Sequence, residues 1–77
     1  MTSVKVFLDS VDKVKSLVNK LSPLAGDFDL VSDRYVVDAK SIMGIFSLDI
    51  GKTLRLDIHN DEVVEKVLPL LQEYIVD

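Results

Sequence analysis

The chain contains no cysteine, only three glycines and two prolines, and no long apolar run. Without cysteine there is no disulfide, no thiolate metal ligand and no cysteine nucleophile, which fits a reducing compartment. No apolar run approaches the roughly 18 residues of a membrane span. The first residues, Met1 to Val6, also lack the basic stretch and long apolar core of a signal peptide. We therefore expect a cytoplasmic protein that does not enter a membrane.

Basic residues are in the minority, with nine lysines and arginines against 13 aspartates and glutamates and a net charge of −4. Nucleic acids and anionic membranes bind basic surfaces, so neither is an expected partner. Three lysines do lie close together, at Lys13, Lys15 and Lys20. We interpret them as the solvated face of a helix.

Residues with recognisable catalytic or metal-binding spacing are also missing. The carboxylate pairs Asp27/Asp29 and Asp61/Glu62 are not joined by a histidine, a serine or a cluster of metal ligands. The glycines are isolated, so there is no glycine-rich phosphate loop. We expect no enzyme activity, no metal and no cofactor.

What the chain does contain is the composition of one small globular domain. It has 77 residues, of which 48% are hydrophobic and 29% are charged. A chain of this length buries only about 60% of the surface that its unfolded form exposes, so its stability is modest. We predict a single domain over residues 1–77.

Hydrophobic periodicity predicts the elements of the first half. Val4, Val6 and Leu8 alternate with other residues, as in a half-buried strand. A helical pattern follows over residues 11–21, with Ser10 as N-cap and an end near residue 22, ahead of a proline. The apolar stripe of this helix consists of Val11, Val14, Leu17, Val18 and Leu21. Residues 27–31 and 34–38 then alternate as a hairpin, whose turn lacks glycine and so leaves room for a loop wider than two residues.

The second half adds two helices and a strand. Ser41 can cap a brief helix within residues 42–48, and residues 52–59 alternate as a strand. A final helix begins at Asn60 or Asp61 and carries an apolar stripe as far as Ile75, and Pro69 should kink or divide it.

The predicted order is β-α-β-β-α-β-α. Its simplest architecture is an α+β fold in which a four-stranded antiparallel sheet has its helices on one side. The other face of the sheet would carry the polar residues Lys5, Asp9, Asp27, Asp29, Arg55 and Asp57.

Residues 40–48, Lys-Ser-Ile-Met-Gly-Ile-Phe-Ser-Leu, closely resemble the second-helix segment of HPr. HPr is the histidine-containing phosphocarrier of the bacterial sugar phosphotransferase system, and the likeness is to its Gram-positive form. Residues 4–10 are also similar to the first HPr strand and the turn after it, and the spacing from Asp12 to Ser41 fits the family without gaps. The resemblance spans nearly the whole chain, although only residues 40–48 are specific. It implies the HPr open-faced sandwich, with three helices on one face of the sheet.

The family's phosphotransfer motif, Gly-Ile/Leu-His-Ala/Thr-Arg-Pro, is not present. The corresponding stretch is shorter and reads Ser10-Val11-Asp12-Lys13, with Asp12 in place of the arginine and Lys13 in place of the proline. An aspartate there repels a phosphate that a helix N-terminus would otherwise attract. We expect that this degenerate region does not carry a phosphoryl group.

The single histidine, His59, stands at the end of the last predicted strand. If that strand runs antiparallel to the first, His59 lies at the opposite pole from the degenerate region, roughly 20 Å away at about 3.3 Å per residue. We interpret it as a polar residue that closes the strand beside the Asn60-Asp61 helix cap.

In the family, the serine that matches Ser41 is phosphorylated by an ATP-dependent HPr kinase, and the phosphoserine form binds a catabolite-control transcription regulator. The surrounding helix is part of the docking patch for Enzyme I, the kinase and the regulator. The resemblance therefore implies that Ser41 is a regulatory phosphorylation site and that partner proteins dock on Lys40, Ile42, Met43 and Phe46. Two alternatives stay open: Ser41 is only an N-cap, and the apolar residues belong wholly to the core.

The leading hypothesis is an HPr-like regulatory or adaptor protein that is unable to carry phosphate on histidine. One rival is a genuine phosphotransferase-system phosphocarrier that uses another acceptor. The other is a purely structural domain that pairs with itself or with an enzyme.

Overall fold

The computed structural model describes residues 1–76; Asp77, the last residue of the predicted domain, lies outside the described residues. The strands are β1 (Thr2–Phe7), β2 (Phe28–Ser32), β3 (Tyr35–Asp38) and β4 (Thr53–Ile58). The helices are α1 (Val11–Leu21), α2 (Ile42–Phe46) and α3 (Val64–Leu70), and a 3₁₀ turn (Asp61–Val63) leads into α3. The predicted element order is confirmed.

The strands form one antiparallel sheet in the order β1-β4-β2-β3. Alternate residues of the central strands face the helices and are fully buried, among them Leu30, Leu54 and Leu56. The apolar stripe of α1 packs on this face through Val14, Leu17, Val18 and Leu21. The α+β architecture that the alternation predicted is therefore the observed one, with the core between the sheet and the helical layer.

The last predicted helix is shorter than its apolar stripe. It ends at Leu70, one residue after Pro69, so the proline lies in the last turn rather than at a kink. Pro69 has no N–H to donate to the Glu65 carbonyl four residues back, so one helical hydrogen bond is missing. Both residues are exposed to water. A proline is tolerated here because the lost bond falls at a solvated helix end.

Beyond Leu70 the chain forms turns, and residues 74–76 then cover one edge of the sheet. Phe7 donates its N–H to the Tyr74 carbonyl (2.8 Å), and Val76 donates to the Lys5 carbonyl (2.9 Å). Ile75 forms an isolated antiparallel bridge with Val6. These bonds satisfy backbone groups of β1 that an edge strand would leave open.

The hairpin loop between β2 and β3 contains two residues, Asp33 and Arg34, so the wider loop does not form. Asp33 has a φ of 52°, in the left-handed region. Positive φ at the first loop position alone is the pattern of a type II′ turn, which suits the twist of a hairpin. Aspartate tolerates this region better than most residues, and it stands where glycine is usual.

Among residues 1–76, no helix has both the length and the apolar character needed to cross a membrane.

Candidate functional site

The start of α1 is closed by its own side chains. The Ser10 Oγ accepts the Lys13 N–H at 3.2 Å, which confirms the predicted N-cap. Asp12 lies in the first turn, and Lys13 Nζ is 3.2 Å from the Asp9 carboxylate. Acidic groups favour a helix N-terminus, so Asp12 and the cap already occupy the position that would attract an anion.

Val11, the first residue of α1, is the exception in the predicted apolar stripe. Its side chain is 48% exposed, whereas Val14 and Leu17 are fully buried. The sequence pattern placed Val11 with the buried residues, because periodicity identifies the face of a helix but not where its end passes the rim of the core.

Ser41 caps α2 as predicted. Its Oγ accepts the Gly44 N–H at 3.1 Å, and its side chain is half-buried. A Cβ at Gly44 would lie 3.2 Å from this Oγ and 3.5 Å from the Val37 Cβ. The glycine thus allows the cap hydroxyl and β3 to approach the helix closely.

The apolar side chains of α2 divide between the core and the surface. Ile45 is fully buried, and Ile42 is half-buried against the core. Met43 is 84% exposed and Phe46 is 40% exposed. A five-residue helix has room to bury only one side, so its other side presents methionine and phenylalanine to solvent.

Lys40 has internal contacts. Its Nζ donates to the Leu24 carbonyl at 2.5 Å and lies 5.4 Å from the centre of the Phe28 ring. The side chain is half-buried and fastens the loop after α1 to the segment that enters α2. Direct docking on this ammonium would require those contacts to open.

The end of α2 lies on the same side of the molecule as the start of α1, whereas the segment that enters α2 lies by the loop after α1. Helices α1 and α2 contact each other. Gly51, in the loop after α2, donates its N–H to the Leu8 carbonyl just before α1 (3.0 Å). The degenerate region therefore lies next to the end of α2, whereas Ser41, which donates its N–H to the Asp38 carbonyl at the end of β3, lies farther from it.

His59 lies at the other end of the sheet. Thr2 is paired with Ile58, so the end of β4 adjoins the start of β1, whereas α1 follows the end of β1. The His59 Nε2 is 2.6 Å from the Asp29 carboxylate. A shallow depression around the ring is lined by Asp27, Phe28, Asp29 and Asp38. The sequence predicted that His59 closes a strand. It did not predict the contact with Asp29, which depends on the register between β2 and β4.

Asp57 is the one buried charged residue of the described chain, and it lies on the open sheet face. Ser3 Oγ donates to its Oδ1 at 2.7 Å, and Arg55 contacts both carboxylate oxygens at 2.9 and 3.2 Å. Burial alone would raise the pKa of Asp57, but the hydrogen bonds from Arg55 and Ser3 outweigh it and lower this pKa. The Asp57 carboxylate therefore stays ionised and helps to join the strands. Because it holds no proton to donate, it is not suited to acid catalysis.

No group of three or more histidine, cysteine, aspartate or glutamate side chains among residues 1–76 is arranged to hold a metal ion.

Two solved structures are similar to the chain over nearly its whole length. HPr-C-His from Thermoanaerobacter tengcongensis has a TM-score of 0.77 and 24% identity, covering 95% of this chain and 89% of its own. A phosphocarrier protein HPr from Bacillus anthracis has a TM-score of 0.73 and 20% identity, covering 95% of each chain. No protein-family model matches the sequence, and none of the curated proteins does. The chain therefore has the fold of the HPr phosphocarrier proteins.

Proposed function

We propose that the chain is a regulatory or adaptor protein with an HPr fold, that it docks partner proteins through α2 and is regulated at Ser41, and that it does not carry phosphate on histidine. The observation that carries this proposal is the exposure of Met43 and Phe46 beside a capping serine. Exposed apolar side chains grouped on a small domain often mark a protein interaction site.

The proposed loss of phosphotransfer rests on both ends of the sheet. At the start of α1 there is no histidine, Asp12 lies in the first turn, and the nearby Lys13 ammonium is paired with Asp9. At the other end, a phosphoryl group on His59 would meet the carboxylates of Asp27, Asp29 and Asp38. Like charges at such short range disfavour a phosphorylated ring.

Regulation at Ser41 is supported by the chemistry of its position. Ser41 is half-buried, and its Oγ accepts one backbone N–H of α2. A phosphate attached there would bring acceptor oxygens and negative charge to the first backbone N–H groups of the helix, where both are favoured. The same phosphate would change the charge beside Met43, so partner binding would respond to it.

The first experiment tests phosphotransfer. The chain is incubated with Enzyme I and labelled phosphoenolpyruvate, with an HPr that contains the histidine motif as positive control. We expect label on the control alone. Acid-labile label on this chain would instead favour a phosphocarrier with another acceptor, and a His59→Ala variant would show whether His59 is that acceptor.

The second experiment tests docking and regulation. Immobilised wild type, Ser41→Asp and a Met43→Ser/Phe46→Ser double variant are compared for retention of HPr kinase and of the transcription regulator. We expect the double variant to lose both partners, and Ser41→Asp to alter retention of the regulator. HPr kinase with ATP should label wild type and leave Ser41→Ala unlabelled. If no phosphoserine forms and Ser41→Ala retains the same partners, a purely structural interaction domain becomes the better account.

A further inference from the structure

The two edges of the sheet differ in how their backbone groups are satisfied. The outer edge of β1 is covered by the chain's own residues 74–76. At the other edge, no strand of the described chain lies beyond β3. An uncovered edge strand presents N–H and C=O groups to any extended segment that can reach them.

The direction of those groups follows from the ladder. Ala39 donates its N–H to the Phe28 carbonyl at 2.8 Å, so it points toward β2. The direction of the N–H groups alternates along an antiparallel strand, so the N–H groups of Tyr35 and Val37 also point toward β2. Val36 and Asp38 direct their N–H groups away from the sheet. The open edge of β3 thus presents an outward N–H group at every second residue.

The side chains on this edge are exposed and apolar. Tyr35 is 67% exposed and Val36 is 61% exposed. Natural edge strands are commonly protected by lysine, proline or a bulge. The strand Tyr-Val-Val-Asp has no lysine or proline, and its register with β2 is continuous from Tyr35 to Asp38. At the end of β3 the Asp38 carbonyl already accepts the Ser41 N–H at 3.0 Å, which leaves the outward groups of Val36 and the Asp38 N–H for another strand.

The charges at the ends of this edge are self-complementary. Arg34 precedes β3 and Asp38 ends it, and neither side chain is in an ion pair within residues 1–76. Asp38 Oδ1 accepts the Lys40 N–H at 2.9 Å, which leaves Oδ2 for another partner. If two copies of β3 run antiparallel with Val36 opposite Val36, then Arg34 of each copy stands opposite Asp38 of the other.

We propose that two copies of the chain associate through their β3 edges in this register. The N–H groups of Val36 and Asp38 then donate across the interface, because these are the groups that point outward. On the helical side, Tyr35 of each copy faces Val37 of the other, an aromatic and β-branched pair of the kind that stabilises sheets. The contact is isologous, so the assembly closes as a two-fold dimer.

The dimer is weak and geometrically specific. Strands of four residues bury less than the roughly 1,000 Å² of a stable interface, so we expect a dissociation constant of about 0.1–1 mM. The two-fold axis passes through the sheet, which places both α2 helices on the same side. A partner with two binding sites would then engage both copies at once.

The experiment uses charge complementation. Sedimentation equilibrium and the concentration dependence of amide shifts are measured for wild type, for Arg34→Asp, for Asp38→Lys and for an equimolar mixture of the two variants. Each single variant places like charges opposite each other at both ends, and we expect association about tenfold weaker. The mixture restores two attractive pairs, and its heterodimer should form within about threefold of the wild-type affinity.

Two further variants separate this interface from other contacts. Lys15→Glu changes an exposed charge on α1 and should leave association unchanged. Val36→Pro removes an outward N–H without removing a bond to β2, and it should abolish association while the amide spectrum stays dispersed. A chain that shows no concentration dependence up to millimolar protein overturns the proposal. A dimer that forms as well in Arg34→Asp and in Val36→Pro as in wild type also overturns the proposal.

Discussion

Helices α1 and α2 begin in the same way and then differ in almost everything else. Each has a serine N-cap whose Oγ accepts the N–H three residues on, Ser10 at 3.2 Å and Ser41 at 3.1 Å. Helix α1 has 11 residues and buries four of them, whereas α2 has five and buries only Ile45. The same cap chemistry therefore begins a structural helix in one place and a largely surface helix in the other.

The attachments of the two helices sharpen this difference. In α1, the Ser16 Oγ bonds the Tyr74 hydroxyl at 2.5 Å, and Lys20 Nζ bonds Glu73 at 2.8 Å. Both contacts join α1 to the segment that covers the edge of β1. For α2, the side-chain hydrogen bonds within residues 1–76 are those that Ser41 and Ser47 make with Gly44. Helix α2 is thus held mainly by its own cap, by the buried Ile45 and half-buried Ile42, and by the chain on either side.

The largest predicted contrast is between truncations on the two helices. Leu17 is fully buried, and Leu17→Ala should lower the free energy of unfolding by about 3 kcal/mol, since it removes buried methyl groups and leaves a cavity. Met43 is 84% exposed, and Met43→Ala should change this free energy by less than about 0.5 kcal/mol. Urea unfolding followed by circular dichroism measures both.

This comparison also separates stability from docking. Met43→Ala is expected to weaken partner retention while leaving the fold intact. If Met43→Ala destabilised the chain as much as Leu17→Ala, the assignment of Met43 to a docking surface would be wrong, and α2 would have to be regarded as part of the core.

The helix starts and the sheet could be predicted because their signals are local. A serine ahead of an apolar run is sufficient to predict a cap, and both Ser10 and Ser41 were predicted correctly. Alternation placed Leu54, Leu56 and Ile58 on the buried face, because a strand turns successive side chains to opposite sides.

The remaining features depend on contacts between distant residues. The segment from Leu71 to Ile75 carries a helical apolar stripe, yet residues 71–74 form turns and the chain from Tyr74 onward bonds to β1. The bond between His59 and Asp29, and the burial of Asp57, depend on strand register, which composition does not specify. The exposure of Val11 depends on where the core ends.

A prediction of intermediate size concerns the two caps. Ser10→Ala should lower the free energy of unfolding by about 1 kcal/mol, because α1 must form for its buried stripe to pack. Ser41→Ala should cost about half as much globally, because α2 can fray while the core persists. Hydrogen exchange of the Gly44 and Ile45 amides should accelerate in Ser41→Ala and stay unchanged in Ser10→Ala at matched stability. Equal global losses from both variants would mean that α2 unfolds only with the whole domain.

The smallest predicted effect is the pH dependence of the tie between α1 and the segment after α3. The hydrogen bond from Lys20 lowers the pKa of Glu73 below its ordinary value of 4.5. Because the pKa is lower in the folded state, the carboxylate stabilises the fold fully above pH 4.5 and loses this effect as the pH falls through the lowered value. Glu73→Gln should therefore be less stable than wild type at pH 7, and the difference should vanish once the pH lies well below the lowered pKa. Urea unfolding at several pH values measures it, with Glu65→Gln, an exposed α3 glutamate, as the matched control. A difference that does not vary with pH would show that Glu73 acts through packing rather than charge.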